Sequence, residues 1–165
     1  MKQEGCKLDL SGTGYCASLN FRRTARAVTQ LYDAALEESG MRSTQFAILV
    51  GIAKSQPVAI SALAEVLIID ATTLTRSLQL LKKEGLITIS DRGRMRQRFL
   101  ALTPKGEKTL GRSLPVWRKA HERFVATVGR DYWLDLRNEL EKLAHVAVEL
   151  ENPPKDTPAR APAHG

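Results

Sequence analysis

Apolar residues in this chain recur at helical spacing over most of its length, and strand-like runs are confined to one region. From Cys16 to about Glu38, Leu19, Ala25, Val28, Leu31, Ala35 and Leu36 mark a first helix, and Gly40 is placed to close it in a left-handed cap. A second helix follows at once, with Ser43 or Thr44 as its cap and Phe46, Leu49, Val50 and Ala53 as its apolar face. Ser55-Gln56-Pro57 ends it before a short extended piece, Val58-Ala59-Ile60, and Ser61 opens a third, short helix from Ala62 to Leu67. Asp70 caps a fourth helix, Ala71 to Glu84, with Leu74, Leu78 and Leu81 as its buried stripe and Gly85 as its stop. Two helices joined by so short a turn, Ile68-Ile69, form a helix-turn-helix.

The period changes after Gly85. Leu86 to Ser90 and Phe99 to Leu102 favour strands, and the polar segment Asp91 to Arg98 between them makes a hairpin with a basic tip. Thr103 and Pro104 open a long fifth helix ending near Val128 at Gly129, with Pro115 inside it and Gly106 and Gly111 weakening its start. A sixth helix, capped by Asp131, carries Trp133, Leu136, Leu140, Leu143, Ala147 and Leu150 in alternating steps of three and four. That stripe needs a partner, either the first, fifth and sixth helices of a second copy or an intramolecular three-helix bundle. From Asn152 the chain holds four prolines and no large apolar residue, the composition of a disordered tail.

The expected fold is therefore mainly α with a small β-hairpin wing, a winged helix-turn-helix joined to a helical region, which is a dimerisation region if its stripe meets a second copy. Residues 1–15 read as a flexible arm, 16–40 and 104–150 as the dimerisation region, 41–103 as the DNA-binding domain and 151–165 as the tail.

Charge changes the picture next. The net charge is +7, and between Ala71 and Lys108 nine basic residues face three acidic ones, so one stretch holds nearly the whole excess. The polar face of the fourth helix offers Thr72, Thr73, Thr75, Arg76, Gln79 and Lys83, able to bond base edges and phosphates. The hairpin adds Arg92, Arg94, Arg96 and Arg98, with Arg96 the foremost side chain to enter a minor groove. Winged helices also bind RNA or proteins, but this pairing of a polar helix face with four alternating arginines argues for double-stranded DNA.

Other classes find little support in the residues. No apolar run reaches the roughly 18 residues that a membrane span needs. Met1 to Lys7 does not read as a signal peptide, so the expected location is the cytoplasm. Cys6 and Cys16 lack metal-ligand spacing and are expected as free thiols. No phosphate loop, nucleophile elbow or paired metal ligands occur, and His121 and His145 are isolated on long helices, so neither an enzyme nor a cofactor is expected.

The order of elements, together with Leu63-Ala64-Glu65, Asp70-Ala71-Thr72-Thr73-Leu74-Thr75-Arg76, Lys83-Glu84-Gly85-Leu86-Ile87 and Leu100-Ala101-Leu102-Thr103-Pro104-Lys105-Gly106, resembles the MarR family. Arg22 to Arg26, Tyr32-Asp33 and Gln45-Phe46 look like the family's first two helices, and the resemblance spans about Cys16 to Leu150. It implies a triangular homodimer on a pseudo-palindromic operator, usually a repressor, released by a small phenolic ligand or by thiol oxidation. Leu19, Trp133, Leu136, Leu140 and Leu143 would then serve dimerisation. The usual ligand pocket implicates Arg26 and Tyr32, which suit a carboxylate or a phenol. Cys16 lies near the reactive cysteine of peroxide-sensing members, although alignment from Tyr32 and Gln45 puts that position at Ser18, and a half-buried inert thiol is the commoner case. Three positions depart from the pattern. Ile68 replaces the turn glycine, so the backbone there is expected to take a conformation that a β-branched residue tolerates. Ala71 replaces a common polar or basic residue, and Arg94 stands where an aspartate often braces the wing.

Overall fold

The first helix, α1 (Ala17–Leu36), buries only its C-terminal end: Leu36 is fully buried, Val28 and Tyr32 are half-buried, and Leu19, Phe21 and Leu31 are exposed. The structure is a computed structural model that describes residues 9–92 and 97–152. α1 ends short of Glu38 because Glu37–Ser39 tightens into a 3-10 turn, which Gly40 closes at φ 70° as expected. The start of the second helix, α2 (Ser43–Ser55), differs from expectation, since Arg42 is its N-cap and neither Ser43 nor Thr44 caps it. Two of its orphan amides are satisfied from elsewhere: Gln45 Oε1 accepts Arg42 N at 3.0 Å, and Asp33 Oδ1 of α1 accepts Ser43 N at 2.7 Å. The buried face is Phe46, Ile48, Leu49 and Ile52, while Val50 is half-buried and Ala53 exposed. α2 touches α1, the next helix and the strand Gln97–Leu102, so it is covered on more sides than one amphipathic stripe would indicate.

Val58–Ala59 forms a short strand, β1, and the third helix, α3 (Ile60–Leu67), begins two residues before the predicted Ala62, with Ala59 as its N-cap. The fourth helix, α4 (Ala71–Lys83), has the predicted buried stripe: Leu74, Leu78 and Leu81 expose 1% of their surface or less. The wing strands, β2 (Ile87–Arg92) and β3 (Gln97–Leu102), are longer than predicted and take Asp91, Arg92, Gln97 and Arg98 into the ladder. They pair antiparallel from Ile87 opposite Leu102 to Arg92 opposite Gln97. β1 joins as a third strand, with Val58 opposite Leu100, giving the order β1-β3-β2.

The fifth helix, α5 (Pro104–Val128), has the predicted bounds. Its first turn is tied to the end of the helix-turn-helix. The Thr103 hydroxyl accepts Gly106 N at 3.0 Å and donates to the Gly85 carbonyl at 2.6 Å, and Lys105 Nζ donates to the Glu84 carbonyl at 2.7 Å. Gly106 is more than a weak point in that turn, because a Cβ there would fall on the Leu86 carbonyl oxygen. Only glycine permits this approach. The sixth helix, α6 (Arg130–Glu151), is preceded by Gly129 at φ 99°, which is its N-cap, and the predicted cap Asp131 instead lies inside the first turn, where its charge suits the helix dipole.

The chain divides into two compact units, Met1–Ala120 and His121–Gly165. The first contains the main core, centred on Leu36, Ile48, Leu49, Ile52, Leu78 and Leu100, each fully or almost fully buried. In the second, Trp133 meets Phe124 edge-on at 5.5 Å and His121 at 6.2 Å between ring centroids. No residue of α6 is buried. Trp133 and Leu136 are half-buried, and Leu140, Leu143 and Leu150 are exposed. Among the described residues no helix is long and apolar enough to cross a membrane, and no cluster of three potential metal ligands occurs.

Candidate nucleic-acid interface

The turn that aims α4 is built on an unexpected backbone. Ile68 sits in the left-handed region at φ 50° and ψ 48°, where its amide donates to Glu65 O at 3.2 Å and that of Ile69 to Ala64 O at 3.0 Å. These two bonds close α3 in the manner usually supplied by glycine. The expectation that isoleucine would move the backbone to an easier conformation is thus corrected: the turn geometry prevails, and the β-branched side chain bears the strain.

Immediately after this turn, Asp70 caps α4, accepting Thr73 N at 2.9 Å. Hydrogen bonds from the Thr73 hydroxyl and amide hold its carboxyl below the usual carboxylate range, with a smaller contribution from the Arg76 charge. With the leucine stripe turned inward, Thr72, Thr73, Thr75, Arg76, Gln79 and Lys83 are all exposed, so the structure brings the six predicted helix residues onto one accessible surface. Lys82 and Leu80, the latter 48% exposed, share that surface and were not singled out in the sequence, and Ala71, noted there as a departure from the family pattern, is exposed on it as well. Two hydroxyls are already committed to the helix backbone: Thr75 Oγ1 donates to Ala71 O at 2.6 Å and Ser77 Oγ to Thr73 O at 3.1 Å.

In the wing, Arg98 is exposed on β3 directly opposite Asp91, a cross-strand pair of opposite charges. Arg92 ends β2 opposite Gln97, and its side chain lies outside the described residues. Arg94 and Arg96 also lie outside them.

A cavity of about 440 Å³ opens in the first unit between α1, α2, α3 and α5. Tyr32 lines it, and burial raises the Tyr32 hydroxyl above its ordinary pKa. Arg26 is exposed on α1 and is not part of the lining. The cation at the cavity is Lys54, and its aromatic wall is Phe46 stacked on Trp117, with centroids 5.6 Å apart and planes 23° from parallel. Sequence reasoning read Phe46 as core and passed over Lys54 and Trp117, because convergence of α2 on α5 leaves no local signal. Cys16 is the N-cap of α1 and is exposed rather than half-buried. Of the residues expected to serve dimerisation, Leu19, Leu140 and Leu143 are exposed and Trp133 and Leu136 half-buried.

The sequence profile of the MarR family matches residues 41–92, which contain α2, α3, α4 and β2. No curated protein matches the chain. Among solved structures, the transcriptional regulator MosR of M. tuberculosis in complex with DNA is 34% identical, with a TM-score of 0.76 over 82% of this chain and 98% of MosR. The transcriptional repressor CouR, bound to a 23-mer DNA duplex, has the same fold at 22% identity, with a TM-score of 0.71 over 84% of this chain and 99% of CouR. PcaV of Streptomyces coelicolor, a transcriptional regulator in complex with its natural ligand, has it at 20% identity, with a TM-score of 0.71 over 87% of this chain and 99% of PcaV. With the profile on the helix-turn-helix and a relative one-third identical over nearly its whole length, the chain belongs to the MarR family.

Proposed function

We propose that this protein is a cytoplasmic transcriptional regulator, not an enzyme, that binds double-stranded DNA sequence-specifically as a homodimer on a pseudo-palindromic operator. It acts as a repressor and is released by a small aromatic or phenolic ligand. One observation carries the reading: α4, buried through Leu74, Leu78 and Leu81 and aimed by the Asp70 cap, presents Thr72, Arg76, Gln79 and Lys83 as an exposed surface among the described residues. Such a helix fits the major groove, and Arg98 with its neighbours on the wing fits the adjoining minor groove. MosR, solved in complex with DNA, supports DNA as the partner.

Dimerisation is supported by apolar surface that a lone chain leaves wet, Leu19, Phe21 and Leu31 on α1 and Leu140, Leu143 and Leu150 on α6. The cavity supports the ligand reading: stacked Phe46 and Trp117 suit a flat ring, and Lys54 with Tyr32 suits a carboxylate or phenolate. The PcaV complex with its natural ligand supports a ligand-responsive member of this fold. Exposed Cys16 offers an alternative input by thiol oxidation. It requires that peroxide weaken operator binding in the parent and not in Cys16→Ser.

Selection from a random duplex library, followed by anisotropy titrations and sedimentation of the same preparation, tests the proposal. A dimer should enrich a site with two half-sites about 34 Å apart, and its affinity should fall steeply with salt. A monomer in sedimentation, or no enrichment over random duplex, would overturn it.

A further inference from the structure

On the reading just given, α4 lies in the major groove with its N-terminal turns nearest the base edges, and the first exposed positions of those turns are Ala71, Thr72, Thr73, Thr75 and Arg76. The Thr75 hydroxyl has one proton, and it is spent on the Ala71 carbonyl at 2.6 Å. A phosphate oxygen, thymine O4, guanine O6 and purine N7 are all acceptors and need a donor from the protein. Thr75 therefore has no proton left for any of them; its oxygen could only accept, from an adenine or cytosine amino group, and against a thymine what this exposed residue has to offer is its methyl group. Ala71, four residues earlier on the same helix face and also exposed, presents a second methyl one turn away. The 5-methyl of thymine is the apolar group that the major groove offers in return.

We infer that Thr75 and Ala71 form an apolar notch that reads the 5-methyl group of one thymine in each half-site, so that Thr75 determines specificity through its methyl and not through its hydroxyl. The hydroxyl's task is to hold the side chain in one rotamer by its bond to Ala71, which fixes the methyl. Arg76 and Gln79, with their longer side chains, remain the hydrogen-bonding readers of neighbouring positions.

The test uses the full chain and the duplex enriched from the random library. Each thymine of a half-site is replaced in turn by deoxyuracil, which removes only the methyl, and affinities are measured for the parent, Thr75→Val and Thr75→Ser. One thymine should stand out in the parent, where uracil weakens binding about fourfold, the worth of one methyl taken out of water. Thr75→Val keeps the methyl and should retain this discrimination with near-parental affinity, whereas Thr75→Ser should bind thymine and uracil alike at that position. Circular dichroism confirms that both variants fold. Two results overturn the inference: indifference of the parent to uracil everywhere, or loss of affinity in Thr75→Val while Thr75→Ser still discriminates. A chain that enriches no sequence overturns the underlying DNA reading as well, so the two failures are distinguishable.

Discussion

Replacing Gly106 by alanine sets helix propensity against tertiary geometry, and the two predict opposite signs. In a helix, glycine to alanine is worth about 1 kcal/mol of stabilisation. At Gly106, however, the new Cβ meets the Leu86 carbonyl, which already accepts Thr103 N at 3.0 Å and cannot swing aside as a side-chain end could. Forcing an extra methyl into such a contact costs about 3 kcal/mol, the upper part of the range for overpacking. The net expectation is about 2 kcal/mol of destabilisation, which in a chain of this size lowers the melting temperature by about 4–8 °C. Gly111 is the internal control, in the same helix with nothing within 4 Å of its notional Cβ. Gly111→Ala should therefore raise the melting temperature by about 2–4 °C. Thermal melts and urea titrations of both variants, followed by circular dichroism, decide the matter. If Gly106→Ala melts at or above the parent, the contact between α5 and Leu86 is wrongly placed.

Further expectations concern α2, the DNA surface and the cavity. Asp33→Ala should cost about 1 kcal/mol near neutral pH, the worth of a helix cap. Hydrogen bonds from Ser43 hold the Asp33 carboxyl below its ordinary pKa, with a smaller contribution from Arg42 at 3.7 Å. A depressed acid stabilises the fold above its unfolded pKa, about 3.9, so the difference between parent and variant should shrink as pH falls below that value and through the lower folded one. Urea titrations over that range measure it, and a difference that does not shrink would remove the carboxylate from the account. Arg76→Ala should alter which sequences a random library yields, whereas Arg98→Ala should weaken all duplexes similarly and reduce the salt slope by about one; equal loss on every sequence for both would refute the division of roles. Hydroxybenzoates should quench tryptophan fluorescence through Trp117, so quenching that persists unchanged in Trp117→Phe would place any bound ring elsewhere.

Local chemistry made much of this molecule legible in the sequence. The leucine stripe of α4, its Asp70 cap, the left-handed Gly40 and Thr103 before Pro104 each depend on residues within a few positions of one another, and the structure has them as read. The exposed set Thr72, Thr73, Thr75, Arg76, Gln79 and Lys83 follows from the same stripe, because fixing the inner face of a helix fixes the outer one. The sequence also located the charge excess, since that needs only counting.

Contacts between distant segments were decided by tertiary structure alone. Asp33 caps α2 from another helix, so no local pattern identifies it and the nearby Ser43 and Thr44 looked sufficient. Gly106 looked like a helix weakness until the Leu86 carbonyl was seen against it. Phe46, Lys54 and Trp117 meet at one cavity because α2 and α5 converge, although 63 residues separate the last two in the chain. At Ile68 the sequence argued for an easy backbone and the fold imposed a left-handed one, because the hydrogen bonds closing α3 and the burial of α4 both depend on that turn. Sequence determined which surfaces each helix has; only the packing of helices decided which of those surfaces meet.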